Sequence, residues 1–365
     1  MSQWHGVVED HEMAGLLEGM RVLDFSVWRP MPHATQILAD LGGEVLKVEP
    51  PGGDPMRGYP EIFASVGRGK RSIELDLRTD AGRDRALDLA AAADVVCEAW
   101  RPGVADRLGV GYDAVRARRT DIIYCSLSGY GAEGPMRDAP GHDVNFQALA
   151  GALAPRGGTT AVPRLPVADL EGGTMCALLI CAAWARRVTT GAGERIDVSM
   201  TDVVAWWVGT RTGVAHADAA ERTAGSPGYG VFRTRDDRWI ALGVLGEARL
   251  WDAIVTALDL DHFVGLDFAT RLAQTTEIND EIAATIATLD ADDALARFAR
   301  HGAPASPVLT AEEATAHPQL VSRHIHVETA AGTMVGLPAR LGTDGRTCAA
   351  EIPAVDANPE GFMGA

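Results

Sequence analysis

Met20-Arg21-Val22-Leu23-Asp24-Phe25 is a short, largely apolar run, typical of a buried β-strand. Residues 32–41 have the pattern of a helix, which Gly42-Gly43 ends. Residues 44–49 are a second apolar run, closed by Pro50-Pro51-Gly52-Gly53. A strand, a helix and a strand in this order predict two parallel strands of one sheet.

The same alternation continues along the chain and predicts a doubly wound, Rossmann-like α/β domain. Asp80 is the expected N-cap of the helix that begins at residue 81. A further helix is expected directly after His142. The predicted strands are residues 73–77, 95–98, 122–126 and 195–199, and the other predicted helices are residues 81–93, 112–119 and 172–187.

A second pattern begins after about residue 207. Residues 230–234 and 239–244 alternate like antiparallel strands, and helical segments follow them. We therefore expect a smaller α+β domain. The expected organisation is an N-terminal extension at 1–12, a large domain at 13–207, a linker at 208–228, the small domain at 229–320 and a C-terminal return to the large domain at 321–365.

Two common nucleotide-binding motifs are missing. The turn after the first strand reads Ser26-Val27-Trp28-Arg29-Pro30 and lacks the glycines that a dinucleotide pyrophosphate requires. Gly69-Lys70-Arg71-Ser72 does not have the spacing of a phosphate-binding P-loop. We therefore expect neither NAD nor FAD, and no other cofactor or metal.

Composition excludes several classes of partner. The formal net charge of −17 argues against nucleic-acid binding. The five cysteines show no metal-type spacing and favour a reducing cytoplasm. The longest apolar run, residues 175–185, is too short to cross a bilayer, so we expect no membrane insertion. Residues 1–12 are polar and acidic, unlike a signal peptide.

His142 and Asp169 are the candidate catalytic pair. Each lies in a polar, glycine-containing setting just ahead of a predicted helix. A histidine and an aspartate on opposite sides of a substrate carbon can each accept or donate a proton. Each residue alone could instead have a structural role. His142 would then be a buried histidine with satisfied hydrogen bonds, and Asp169 would be the N-cap of a helix.

Several separated stretches resemble the class III (CaiB/BaiF-type) CoA-transferases and their relatives, the α-methylacyl-CoA racemases. Together, in order, they cover roughly residues 15–245 and make the resemblance specific. The stretches are Arg21-Val22-Leu23-Asp24, Ile37-Leu38-Ala39-Asp40-Leu41-Gly42, Val45-Leu46-Lys47-Val48-Glu49, Gly69-Lys70-Arg71-Ser72, Asp94-Val95-Val96, Arg101-Pro102-Gly103-Val104, Arg107-Leu108-Gly109-Val110-Gly111-Tyr112, Ile123-Tyr124 and Gly129-Tyr130-Gly131.

The resemblance implies roles for the candidate pair. Gly141-His142-Asp143 is similar to the racemase branch, in which the histidine is one of two acid/base residues. Asp169 matches the central aspartate of the family, which is the second acid/base group in racemases and the nucleophile in transferases. His142 thus favours inversion of the α-carbon of 2-methylacyl-CoA thioesters, with the N–H of Asp143 facing the enolate oxygen.

The resemblance also implies that the large domain at 13–207 binds coenzyme A (CoA) and that two chains form a dimer. Arg71 and Arg101 are planar donors suited to phosphate, and Lys70 is a further candidate, although each is also compatible with an exposed surface charge. Racemases of the family place a glutamate of the small domain near the pair, and Glu247 is the nearest match, displaced by one position. The family fold is an interlocked homodimer, so a homodimer is expected.

Three functions remain open at this point. The first is an acyl-CoA racemase or epimerase, in which CoA is part of the substrate. The second is a CoA-transferase that moves CoA between carboxylates through Asp169. The third is a CoA-binding homologue without catalysis, which the retention of Asp169 with Glu171-Gly172-Gly173 argues against.

Overall fold

The computed structural model describes residues 15–154, 160–212, 226–329, 332–341, 354–355 and 362. The chain divides into two compact units. The first unit runs to Trp207 and resumes at Gln319, and the second unit spans Val208–Pro318.

The first unit is built on a six-stranded parallel sheet. Its strand order is β3-β2-β1-β4-β5-β6, the order of a doubly wound Rossmann fold, with the crossover between β1 and β4. The predicted α/β class is therefore confirmed. The strands are β1 (Arg21–Asp24), β2 (Glu44–Glu49), β3 (Arg71–Glu74), β4 (Val95–Glu98), β5 (Ile123–Ser128) and β6 (Glu194–Ser199).

Helices cover the sheet. Glycines 172 and 173, both in one long helix, allow close packing, since a Cβ on Gly173 would lie 2.4 Å from the carbonyl oxygen of Pro30. The helices are α1 (Pro30–Asp40), α2 (Pro60–Gly67), α3 (Asp80–Ala92), α4 (Val104–Arg107), α5 (Tyr112–Arg118), α6 (Asp143–Leu149), α7 (Val167–Thr190) and α8 (Met200–Thr212), with a 3-10 turn at Pro55–Gly58.

Helix boundaries differ from the sequence predictions at two informative places. Thr79, not Asp80, caps α3, because the Thr79 hydroxyl accepts the N–H of Gly82 and Asp80 is already helical. Helix α7 begins at Val167 rather than at residue 172. Asp169 therefore lies inside the first turn of α7, not ahead of it.

Helix α7 has the length and composition of a membrane span. It packs against α1, α6, β5 and β6 within the first unit. Buried core helices of globular proteins pass the same test of length and composition. The predicted lack of membrane insertion stays a prediction.

A buried ionic network lies beneath the β1–α1 loop. The carboxylate of Asp24 accepts hydrogen bonds from the hydroxyls of Ser26 and Thr35. The Lys70 ammonium donates to Thr35 Oγ1 at 2.7 Å and lies 3.5 Å from Asp24 Oδ2. Burial alone would raise the pKa of Asp24, but Lys47 and Lys70 together with the two hydroxyls hold it below its usual value.

We expect Lys70→Ala to lower the free energy of unfolding by about 3–5 kcal/mol. The substitution breaks a buried ion pair and leaves the negative charge of Asp24 with one cation fewer beside it. Chemical denaturation measures this change. Arg118→Ala is the control, since its pair with Asp88 is exposed and is worth about 0–1 kcal/mol. An unchanged unfolding midpoint with weakened CoA binding would instead place Lys70 in the ligand site.

The second unit joins a small antiparallel sheet to a group of helices. The sheet has the order β7-β8-β9, from Tyr229–Arg233, Trp239–Gly243 and Ala305–Pro307. Trp251 lies fully buried at the centre of its apolar core, and its indole N–H donates to the carbonyl of Phe263 at 2.8 Å. The helices are α9 (Ala248–Ala257), α10 (Phe268–Ala273), α11 (Thr275–Ile286), α12 (Ala291–His301) and α13 (Ala311–Ala316), with a 3-10 turn at Asp261–Phe263.

The chain continues after the second unit with a short helix and a hairpin. Helix α14 spans Pro318–Ser322, and the antiparallel strands are β10 (His326–Thr329) and β11 (Gly332–Val335). The predicted extension at 1–12, much of the predicted linker and about half of the predicted C-terminal return to the large domain lie outside the described residues.

Candidate active site

A cavity of about 710 Å³ opens at the carboxyl ends of the parallel strands of the first unit. Loops after β1, β4 and β5 line it. Strands β1 and β4 flank the crossover point of the sheet, where doubly wound folds bind ligands. His142 and Asp169 both line this cavity. The larger apolar residues of its wall are Trp28, Met56, Tyr59, Ile62, Trp100, Leu127, Tyr130, Phe146 and Met200.

Asp169 has the titration behaviour of an acid/base group. It lies in the first turn of α7 and is partly exposed to the cavity. Burial, and then the negative charge of Asp143, raise its pKa to about 6, against the opposing charges of Arg29 and His142. A carboxyl group with this pKa is present in both protonation states near neutral pH, as reversible proton transfer requires.

The Asp143 carboxylate orients the turn that carries Asp169. Its Oδ1 accepts the backbone N–H of Ala168 at 2.7 Å and that of Asp169 at 3.2 Å. Its Oδ2 accepts the side-chain amide of Gln147 at 2.5 Å. Asp143 thus caps the start of α7 from a distant part of the sequence and holds Asp169 in place.

We expect Asp143→Asn to lower the pKa of Asp169 from about 6 toward its ordinary value. The amide oxygen still accepts the two N–H groups, but the negative charge that favours the protonated form of Asp169 is gone. Carbon-13 NMR of aspartate carboxyls across pH measures the shift, with Asp169→Asn identifying the signal. A midpoint that stays at about 6 would mean that burial alone sets it.

His142 is presented to the cavity by a tightly packed turn. It precedes α6, and its backbone N–H donates to Asn145 Oδ1 at 3.0 Å. A Cβ on Gly141 would lie 2.6 Å from the ring of Phe146. Glycine at position 141 therefore lets the turn close over Phe146, and the exposed His142 side chain reaches the cavity.

Four arginines give the cavity a positive charge in an acidic protein. Asp169 is the only acidic residue that lines it among the described parts of the chain. The guanidinium groups of these arginines make no hydrogen bond or ion pair within those same parts. A basic, partly apolar cavity of this kind is suited to an anionic ligand. The four residues are Arg29, Arg101, Arg137 and Arg164.

The other predicted site residues lie elsewhere. The Lys70 ammonium is buried and donates to the Pro32 carbonyl as well as to Thr35. Arg71 starts β3 and pairs with Glu44 at 3.2 Å, outside the cavity wall. Glu247, in the second unit, precedes α9, and its carboxylate accepts the N–H of Leu245 at 2.9 Å. The roles predicted for these three residues stay predictions.

Three of the cavity arginines did not emerge from the sequence as candidates. Arg29 lies in the turn that lacks the glycines of a dinucleotide site, and Arg137 and Arg164 lie in loops without a motif. The sequence feature that Arg29 shares with Arg101 is a position in the loop that follows a parallel strand. Arg137 and Arg164 line the cavity because of the course that their loops take in the folded chain, and no local sequence motif predicts that course.

Comparison with known proteins identifies the family. The profile of CoA-transferase family III matches residues 17–358. The acetyl-CoA:oxalate CoA-transferase of Acetobacter aceti is 30% identical over 352 residues, which cover 90% of this chain and 89% of that protein. The human alpha-methylacyl-CoA racemase is 32% identical over 255 residues, which cover 67% of this chain and 65% of that protein.

Solved structures agree with the sequence comparison. A CaiB/BaiF family protein from Brucella suis superposes with a TM-score of 0.81 and 26% identity, over 94% of this chain and 97% of that one. A Mycobacterium tuberculosis protein superposes with a TM-score of 0.86 and 28% identity, over 96% and 99% of the two chains. The chain belongs to CoA-transferase family III, the CaiB/BaiF family.

Proposed function

We propose that this protein is an acyl-CoA racemase or epimerase that inverts the α-carbon of 2-methylacyl-CoA thioesters. One residue of the pair His142 and Asp169 removes the α-proton, and the other returns a proton to the opposite face. The observation that carries the proposal is that the two side chains line the same cavity. CoA enters as part of the substrate and no cofactor is required.

The acid/base properties of the pair support this mechanism. A proton next to a thioester carbonyl is weakly acidic, so its removal needs a base within reach and a donor to the enolate oxygen. Asp169, with a pKa of about 6, can serve as base in one direction and acid in the other. Because the reaction runs in both directions, one residue of the pair must hold a proton at the start of each turnover and the other must be free to accept one.

The proposed donor to the enolate oxygen is the backbone N–H of Asp143. Helix α6 begins at this residue, so its N–H has no acceptor inside the helix. No backbone acceptor for it is found elsewhere in the described residues. An unpaired N–H that follows His142 directly is a suitable oxyanion donor.

The alternative is a CoA-transferase in which Asp169 is the nucleophile. It is favoured by relatives named as CoA-transferases, such as the succinyl-CoA:mesaconate CoA-transferase of Haloarcula hispanica, 29% identical over 337 residues. In this reaction the Asp169 carboxylate attacks the thioester carbonyl and releases the CoA thiolate. The thiolate then attacks the aspartyl carbonyl of the resulting anhydride, which releases the acyl group as a carboxylate and leaves CoA on Asp169 as a thioester.

Heavy water distinguishes the two reactions. One epimer of a 2-methylacyl-CoA is incubated with the protein in heavy water without any carboxylic acid, and then with an added carboxylate. The proposal expects deuterium at C2 and formation of the other epimer in both cases. Transfer of CoA to the added carboxylate without deuterium at C2 would establish the alternative.

We expect Arg101→Ala to raise the dissociation constant for free CoA by about 10- to 100-fold, since a charge-assisted hydrogen bond is worth about 1.5–3 kcal/mol. Arg101 lies in the loop after β4 and lines the cavity without a partner among the described residues. Isothermal titration calorimetry measures the change, and the remote Arg118→Ala is the control. CoA affinity like that of wild type would remove Arg101 from the binding site.

Assembly and location remain expectations from the family. The proposal includes the interlocked homodimer and a cytoplasmic protein without membrane insertion. Analytical ultracentrifugation at micromolar concentration gives the mass of the assembly, which the proposal expects to be twice that of one chain. The catalytic role proposed for Glu247 depends on this dimer.

A further inference from the structure

The phenol hydroxyl of Tyr130 lies beside the turn that carries His142. Tyr130 follows β5 by two residues and lines the cavity. Its oxygen Oη is 2.8 Å from the position that a Cβ on Gly141 would occupy, and Gly141 directly precedes His142. The hydroxyl makes no hydrogen bond with any residue that the structure describes. Its O–H is therefore free to donate to a ligand in the cavity.

The loop that carries Tyr130 is held on both sides of this residue. The backbone N–H of Gly131 donates to Ser128 Oγ at 3.0 Å, and Gly131 has a left-handed φ of 86°, which glycine adopts without strain. The carbonyl of Gly129 accepts the backbone N–H of Thr201 at 3.1 Å and its hydroxyl at 2.7 Å. A donor fixed in this way does not have to reorganise when negative charge develops on its acceptor.

The ring of Tyr130 is fixed by Phe146. The two rings pack edge to face, with centroids 5.1 Å apart and an angle of 83° between their planes. Phe146 lies in α6, three residues after Asp143. A Cβ on Gly129 would lie 2.4 Å from the Phe146 ring, so the glycine lets the Tyr130 loop approach this helix closely. The ring contact thus ties Tyr130 to the helix that begins at Asp143.

The phenol of Tyr130 and the backbone N–H of Asp143 lie at the same turn. Gly141, which the phenol oxygen adjoins, and Asp143 are two residues apart, a stretch of chain that spans at most about 7 Å. His142 is the residue between them. When a base removes the α-proton, the electron pair of the C–H bond stays with the thioester, and negative charge develops on the carbonyl oxygen. Donors held ready at that oxygen stabilise this charge.

We infer that Tyr130 is a further catalytic residue, whose phenol hydroxyl donates a hydrogen bond to the carbonyl oxygen of the bound thioester together with the N–H of Asp143. This inference rests on the proposed function, because the charge that Tyr130 stabilises is that of the enolate oxygen. The phenol keeps its proton, so the proton transfer between His142 and Asp169 is unchanged. All acyl-CoA thioesters share this carbonyl, so the contact implies no preference among acyl chains.

The first measurement is the rate of α-proton exchange in heavy water. Tyr130→Phe keeps the ring that packs on Phe146 and removes only the hydroxyl. We expect kcat for exchange to fall by about 10²-fold, as for the loss of one oxyanion donor, while the dissociation constant for free CoA stays unchanged. Tyr112→Phe is the matched control. Tyr112 lies in α5, outside the wall of this cavity, and its hydroxyl likewise has no hydrogen bond among the described residues, so the control should exchange at the wild-type rate.

The second measurement tests the contact without the reaction. Pivaloyl-CoA has a thioester carbonyl but no α-hydrogen, so it can bind without proton exchange. Infrared difference spectra of the complexes with carbonyl carbon-13-labelled and unlabelled pivaloyl-CoA isolate the stretching band of the bound carbonyl. A hydrogen bond to the oxygen weakens the C=O bond. We therefore expect the band at a higher wavenumber in Tyr130→Phe than in the wild-type protein and in Tyr112→Phe.

The two measurements separate this inference from the function on which it rests. A carbonyl band at the wild-type wavenumber in Tyr130→Phe would overturn the inference, because slower exchange would then come from altered packing. Exchange in Tyr130→Phe at the wild-type rate would overturn the catalytic role as well. A wild-type protein that exchanges no α-proton, with a shifted band in Tyr130→Phe, would support the contact with the carbonyl and reject the racemase reaction.

Discussion

Asp169→Asn is expected to abolish inversion at C2, with a loss of about 10²-fold to 10⁴-fold, the usual size of general acid/base catalysis. The variant keeps the shape of the side chain, and the N–H of residue 169 can still donate to Asp143, but the side chain can no longer exchange a proton. The measurement is chiral chromatography of the acyl-CoA epimers after incubation with each variant.

The same variant should separate exchange from inversion. With Asp169 disabled, His142 can still remove and return a proton on its own face, so one epimer exchanges its α-hydrogen in heavy water without being inverted. This outcome is specific to a mechanism with two bases. The control is Asp84→Asn, an exposed carboxylate on α3. Unchanged inversion in Asp169→Asn would exclude Asp169 from the reaction.

His142→Ala is expected to lose α-proton exchange from the opposite epimer by about 10²-fold or more, while CoA affinity is kept. The exposed imidazole does not lie in the core, so its removal should leave the fold intact. Deuterium incorporation followed by mass spectrometry measures the rate. Added imidazole should restore part of the exchange, because the truncated side chain leaves room for it in the cavity.

A second histidine provides the control for this variant. His262 is exposed in the second unit and pairs with Glu281 at 3.0 Å. His262→Ala should exchange α-protons at the wild-type rate. An exchange rate in His142→Ala equal to that of this control would reject the racemase mechanism.

The fold class followed from the sequence because buried parallel strands are short apolar runs separated by helices. Strands β2 and β4 have the predicted bounds. The start of α7 was predicted wrongly for a physical reason. Its cap is the carboxylate of Asp143, 25 residues before Ala168 along the chain, and a cap from a distant residue leaves no local sequence signal.

The site was only partly predictable for a related reason. His142 and Asp169 lie within recognisable motifs, and the structure brings both to one cavity. Lys70 has the sequence character of an exposed phosphate-binding lysine, yet it is buried beside Asp24, a pairing that only the fold creates. In the sequence, Arg29 and Arg164 resemble ordinary surface arginines. In the structure, the loops that carry them both line the cavity.

We propose that Asp169 transfers protons and does not form a covalent intermediate. Intact-protein mass spectrometry after mixing the wild-type protein with an acyl-CoA tests it directly, because a transferase must place CoA on this aspartate. We predict an unchanged protein mass, together with deuterium at C2 when the same mixture is made in heavy water. A mass increase corresponding to CoA, removed by hydroxylamine and mapped to the peptide that contains Asp169, would contradict the claim and establish a CoA-transferase.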